Sequence, residues 1–360
     1  MIDFGSVVAN SVFGGAIMAL ASSLHLYLQG KITGISGSIF KFLTCKDVYY
    51  NCSFLLGMVF MSSFIKCFFL QNVQKTQNSS SFLETSNEFV ADLSLGGFIL
   101  AGFLVGFGAK MGNGCTSGHG VCGLPRLSKR SIVAISLFMI FGITLATLKY
   151  YFQFLIPGPN SINTWDLNFI NYFVFFSVCM SFVYIIHKDI NNGKRNVRDM
   201  IISFLIGSLF SFGLIESGML QRHVVLGFLT IGKIWNIQLA FVLGTAVGIN
   251  LLTFNFILKK ISKPRYKEKY DLPTNKVIDN KLCLGAAIFG IGWGLSGICP
   301  GPAVLTLCLY CPQTLAFFIA LCTGIYIESV FDSKISDILN KNSFISRINK
   351  FQVLNDNDKQ

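Results

Sequence analysis

Two stretches decide how this chain is read: GFGAKMGNGC at residues 106–115 and GIGWGLSGIC at residues 290–299. Each closes an apolar, glycine-rich segment long enough to cross a bilayer. A shift of 184 positions lays Gly106 on Gly290, Gly108 on Gly292 and Cys115 on Cys299, and it also lays Gly34 on Gly218. The pattern predicts two related halves, each carrying a thiol where an apolar segment breaks off.

Composition sets the environment. Of 360 residues, 52% are hydrophobic and only 13% charged, with mean hydropathy +0.59. Soluble domains carry about 25% charged residues. The net charge of +12 does not point to nucleic acid, because the basic residues sit between apolar runs and form no stripe with interleaved aromatics. The first apolar run has no basic leader and no small-residue cleavage site after it, so it reads as an uncleaved first span. The expectation is an all-α polytopic membrane protein.

Apolar stretches of roughly 20 residues mark candidate spans. Nine are expected, at 5–28, 52–70, 93–111, 131–153, 167–187, 200–216, 234–258, 281–297 and 312–331. The connections then alternate between two sides. One side carries 22 of the lysines and arginines, and the other carries 3, namely Lys75, Arg222 and Lys233. The excess marks the cytoplasmic side. This predicts an integral protein, expected in the plasma membrane, with its N-terminus outside and its C-terminus in the cytoplasm. On the outer side, residues 71–92 read as a polar loop with an Asn78-Ser79-Ser80 acceptor pattern. Residues 259–276, KKISKPRYKEKYDLPTNK, read as a solvated cytoplasmic loop.

The expected organisation is a first repeat at 1–155, a one-span connector at 156–199, a second repeat at 200–331 and a cytoplasmic tail at 332–360. With one span between them, the halves enter the membrane in opposite directions. Inverted repeats place broken helices at a shared midplane, where transporters build their sites. Four short pieces are candidate re-entrant segments: 31–42, 116–128, 218–229 and 300–311. Irregular backbone survives at that depth only where protein or a wet cavity surrounds it. Gly112, Gly114, Gly118, Gly297 and Gly301 would permit the turns, and Pro300 and Pro302 would start a short helix after Cys299.

A helix start at membrane depth presents free N–H groups to an anion. A thiol there adds a weak S–H donor and a polarizable contact. Sulfate needs stronger donors, whereas an anion with an exposed terminal sulfur pairs naturally with S–H groups. Thr116, Ser117 and His119 are further donors around Cys115, although His119 reads equally well as a cap. Arg126, Lys129 and Arg130 read as positive-inside anchors or as a draw for anions. Glu216 lies at the end of a span and is either an intramembrane acid or solvated.

Other chemistries fit less well. Cys115, His119 and Cys122 are three soft ligands in eight residues, but a closed structural zinc site takes four. Cys308 and Cys311 form a CxxC without the βαβ context of a redox motif. The GxG at Gly106 and Gly108 lacks a strand–turn–helix unit, and no Walker motif is present. No metal and no cofactor are expected.

GNGCTSGHGVCGLPRLSKRS, GWGLSGICPGPAVL and LQGKITGISGSIF resemble the YeeE/YedE family of sulfur-transport membrane proteins, whose characterised members are thiosulfate permeases. The resemblance covers nearly the whole chain. It implies an hourglass-like helical protein whose short central loops meet in the middle and whose cysteines relay thiosulfate. Cys115 and Cys299 match the two central family cysteines. Thr33 stands where the family carries a third, so two thiols and a hydroxyl replace three thiols. Thiosulfate, a related sulfur species and another small anion all stay open.

The resulting expectation is a non-enzymatic permease moving a small sulfur-containing anion inward. Its substrate-binding residues would be Cys115, Cys299, Thr33, Thr116, Ser117, His119, Gly114, Gly118, Pro300 and Gly301. Its partners would be that anion and the lipid bilayer, with no nucleic acid and no protein partner identified. The rival readings are a membrane sulfurtransferase that forms a cysteine persulfide, with His119 as the one nearby histidine base, and a sulfur-binding subunit that transports nothing.

Overall fold

The computed structural model describes residues 4–69, 93–152, 168–191, 197–232, 235–275, 277–309 and 312–341. The Asn78 pattern, Lys75, Lys233 and Cys311 lie outside them. The described residues form α-helices α1 (Phe4–Gln29), α2 (Ile35–Leu43), α3 (Val48–Phe64) and α4 (Leu95–Met111). A wide π-helical segment, Thr116–Gly123, leads to α5 (Lys129–Phe152), α6 (Asn168–Asn191) and α7 (Val197–Glu216). Then follow α8 (Arg222–Leu229), α9 (Gln238–Lys260), α10 (Asn280–Ser296), α11 (Pro300–Leu305) and α12 (Pro312–Lys341). Among the described residues there is no strand, only an isolated parallel bridge between Lys31 and Asp271.

Each of the nine expected apolar stretches overlaps a helix. By length and composition, six helices can cross a membrane, or seven if α4 and the π-helical segment, bent by 47°, count as one broken span. That total does not reach the nine expected. Helix α10 has 17 residues, and the described apolar part of α6 is Phe176–His187. Helices suit this composition because each satisfies its own backbone polar groups where water is absent. Large apolar side chains such as Phe13, Ile140, Met180, Leu252, Phe256 and Ile319 face outward. An apolar exterior this extensive fits lipid rather than water.

Helix pairing follows a pattern. The principal pairs are α4 with α12, α10 with α5, α3 with α7, α9 with α1, α4 with α10 and α1 with α7. Exchanging α1, α3, α4 and α5 for α7, α9, α10 and α12 leaves this set of pairs unchanged. The α4–α10 contact repeats the rule at atomic scale. A Cβ added to Gly108 would lie 2.3 Å from Phe289 N and 2.7 Å from Gly285 O. One added to Gly292 would lie 2.8 Å from both Val105 N and Ala101 O. Positions 289 and 285 become 105 and 101 under the shift of 184, so each glycine meets its counterpart's neighbours. Without a side chain at either position, the two backbones touch.

The loop after α9 is tied down despite its many exposed side chains. Its backbone donates from Arg265, Tyr266 and Asp271 to the carbonyls of Tyr27 (2.9 Å), Leu28 (3.0 Å) and Gly30 (2.8 Å). These carbonyls end α1 and would otherwise lack intrahelical donors. The loop thereby crosses the face onto which Lys31 and Arg126 open.

Candidate functional site

All four expected short pieces contain a short helix: α2, the π-helical segment, α8 and α11. Cys115 and Cys299 hold equivalent places, each in extended conformation immediately before such a helix. Pro300 and Pro302 lie in the first turn of α11, as expected, and Gly297 takes a left-handed conformation (φ 71°) that ends α10. A side chain at Gly297 would be strained there and would also strike Leu226.

Both cysteines are buried, at 1% and 5% exposure, in the same apolar core. Cys115 Sγ lies 3.2 Å from Ser117 Oγ, and Ser117 Oγ accepts from the Ile35 amide at 3.3 Å. Thr116 and Cys299 line one narrow cavity. Residues 115–117 therefore lie beside both the start of α2 and the residue that precedes α11.

The same segment divides two cavities. A polar vestibule of about 470 Å³ touches Gly114, Gly118 and His119. Its wall carries Lys31, Lys41, Lys110, Arg126 and Arg130, opposed among the described lining residues by the single carboxylate of Asp271. A narrow cavity of about 50 Å³ lies against Thr116, Ser117, Gly301 and Cys299. The rest of its lining is apolar, including Met18, Met139, Met219, Phe138, Phe210 and Trp293. Thioether and aromatic walls favour soft, polarizable groups.

Three expected site residues serve elsewhere. Thr33 is fully buried and lines neither cavity; its hydroxyl is bonded to His25 Nδ1 at 2.9 Å. Pro300 is buried and shapes α11, while Gly301 and Pro302 face the narrow cavity. His119 touches the vestibule, but both ring nitrogens are engaged. Nε2 meets Gly112 O at 3.2 Å and Nδ1 meets Ser131 Oγ at 3.0 Å. A carbonyl can only accept, so Nε2 donates and the neutral ring accepts from Ser131. The ring thus caps the end of α4, and it packs where a side chain at Gly114 would collide.

Several residues had no part in the substrate site expected from the sequence. Cys122 is buried and its thiol donates to Thr33 O at 3.5 Å, so a third thiol does lie against that position. Asn250 of α9 donates to Val121 O at 2.8 Å and accepts from Ser23 at 2.9 Å, holding the π-helical segment against α1. Lys149 and Arg222 reach the carbonyls of Leu295 and Ser296 at the end of α10. Glu216 is half-buried, whereas the carboxylate sealed inside is Glu328 of α12. An isolated acid in an apolar run was the available signal for Glu328.

Comparison with known proteins adds a family. A family model described as a family of unknown function, DUF6691, matches residues 198–338. A protein of Xylella fastidiosa (strain Temecula1 / ATCC 700964) described as a probable transporter is 39% identical over 128 residues, which are 35% of this chain and 86% of that protein. A second probable transporter of the same strain is 33% identical over 142 residues, 39% of this chain and 95% of its own length. This chain belongs to the family of these probable transporters. It is an integral membrane protein, and the matches to these relatives take up 35% and 39% of its length.

Proposed function

We propose that this protein is a membrane permease that carries a small sulfur-containing anion, thiosulfate first among them, into the cell past Cys115 and Cys299. The observation that carries this reading is the junction at residues 115–117. There one thiol contacts Ser117, the other lines a narrow apolar cavity together with Thr116, and a cationic vestibule lies against the same segment. The anion's terminal sulfur would pass between the thiols through S–H contacts without covalent bonding, and the cations of the vestibule would draw it on toward the cytoplasm. The methionine and aromatic lining beyond them suits a polarizable sulfur better than a fully hydrated oxyanion.

On this reading the chain comprises two inverted repeats, residues 1–155 and 200–331, joined by 156–199 and followed by a cytoplasmic tail at 332–360. The exchange-invariant helix pairing supports the repeat, as does the reciprocal contact of Gly108 and Gly292. Each relative corresponds to little more than a third of the chain, which fits a fusion of two such units and the YeeE/YedE resemblance. Nine spans, an N-terminus outside and a C-terminus in the cytoplasm of the plasma membrane complete the topology. The vestibule then opens on the cytoplasmic side, where its lysines and arginines obey the positive-inside rule.

A persulfide-forming enzyme would need a base beside a thiol. His119 spends one nitrogen on Gly112 and the other on Ser131, which supports transport over that alternative. Uptake of radiolabelled thiosulfate into proteoliposomes tests the proposal. Cys115→Ala and Cys299→Ala should each lower the initial rate at least tenfold while the protein still purifies as a folded species. Undiminished uptake by either variant would sink the thiol path.

A further inference from the structure

Glu328 is fully buried on α12, within an apolar stretch, and its carboxylate faces two cations. Lys281 Nζ of α10 is 3.0 Å away and Lys110 Nζ of α4 is 3.7 Å away. Lys281 has a second acidic partner in Asp332. Lys110 has a different second environment: its ammonium lies 4.2 Å from the centroid of the Phe40 ring, and its side chain lines the cationic vestibule. A carboxylate sealed in an apolar helix is costly unless paired. Ionisable groups at such depth are functional candidates by default. Glu328 touches neither cavity, so any influence on a solute must pass through a neighbour, and Lys110 is the neighbour that reaches the vestibule.

We propose that Lys110 is the cation that receives a small multivalent oxo- or thio-anion in the vestibule, and that Glu328 sets its affinity by competing with the anion for that ammonium. At rest Lys110 is shared between Glu328 and the Phe40 ring. An entering anion draws it away, and Lys281 then holds Glu328 by itself. When the anion leaves, Glu328 takes Lys110 back, so binding stays weak enough for release. Glu328 is thus a positioning residue. This inference rests on the anion-permease reading and assigns the affinity of its inner site to one ion-paired cluster.

The test is titration of the purified full-length protein with thiosulfate, and separately with sulfate, against sodium chloride at matched ionic strength. Binding is read by isothermal calorimetry. Glu328→Gln should tighten binding about tenfold, a change of about 1.4 kcal/mol. Lys110→Gln should weaken it by a similar factor. In the Lys110→Gln background, adding Glu328→Gln should change nothing further, because the carboxylate acts only through that ammonium. Lys281→Gln keeps the carboxylate but removes its other close cation, so it should weaken binding several-fold although Lys281 does not line the vestibule. This variant decides the matter if Glu328→Gln does not fold. An unchanged or weaker affinity in folded Glu328→Gln overturns the proposal, as does a Glu328 effect that survives the loss of Lys110. So does unchanged affinity in Lys281→Gln. Wild-type protein with no saturable site for either anion would instead overturn the anion-permease reading itself.

Discussion

Substituting alanine at Gly108 or Gly292 probes the seam that carries both thiols. The added methyl at Gly108 would stand 2.3 Å from the amide nitrogen of Phe289, and at Gly292 2.8 Å from Ala101 O and Val105 N. Carbon contacts are comfortable at about 3.5–4.0 Å, so α4 and α10 must part by roughly 1 Å. The obstructing atoms are backbone and cannot rotate aside, which places the cost near the top of the ~1–3 kcal/mol range for overpacking. Alanine returns about 1 kcal/mol of helix propensity. The net loss is therefore about 1–2 kcal/mol at Gly292 and somewhat more at Gly108. Gly248 of α9 supplies the control, since a Cβ there meets nothing within 4 Å; alanine should stabilise that helix by up to about 1 kcal/mol. Thermal midpoints in a single detergent should rank Gly248→Ala at or above wild type, then Gly292→Ala, then Gly108→Ala. The double variant Gly108→Ala/Gly292→Ala should lose less than the sum, because one separation relieves both clashes. Equal midpoints for Gly108→Ala and Gly248→Ala would refute the close-contact argument.

Two further outcomes follow from particular contacts. Asn250→Leu should lower stability by about 1–3 kcal/mol, since it strands the buried carbonyl of Val121, and it should disturb the π-helical segment more than α9; hydrogen exchange across residues 116–123 against 238–260 would show which loosens. Lys31 has its pKa lowered by burial and then by the nearby charge of Lys41. Because the charged form attracts the anion, and a lowered pKa means that form is lost sooner as pH rises, anion affinity should decline on the alkaline side before ordinary lysines titrate. Lys31→Arg, charged throughout, should shift that decline to higher pH, and an unshifted profile would remove Lys31 from the site.

Parts of the site were legible because they depend on neighbours in sequence. Gly297 and the prolines at 300 and 302 announce a helix stop and a helix start around Cys299, and the structure has both. Thr33 shows the limit: its position along the chain pointed to the path, but its hydroxyl turns to His25, eight residues earlier and one helical element away. His119 likewise takes its role from Gly112 and Ser131, which engage both ring nitrogens and which its neighbours in sequence do not indicate.

By itself the sequence determined the membrane environment, the placing of most basic residues between apolar runs, and where two apolar segments break beside a cysteine. These are local properties of hydropathy, charge and turn-forming residues, and they need no knowledge of what packs against what. Only the tertiary structure decided that α4 lies on α10, that Thr116 and Cys299 line one cavity, and that Lys110 stands between Glu328 and an open vestibule. Those contacts join residues up to 218 positions apart, and such partners are chosen by the shapes and charges of whole helix faces, which no short stretch contains.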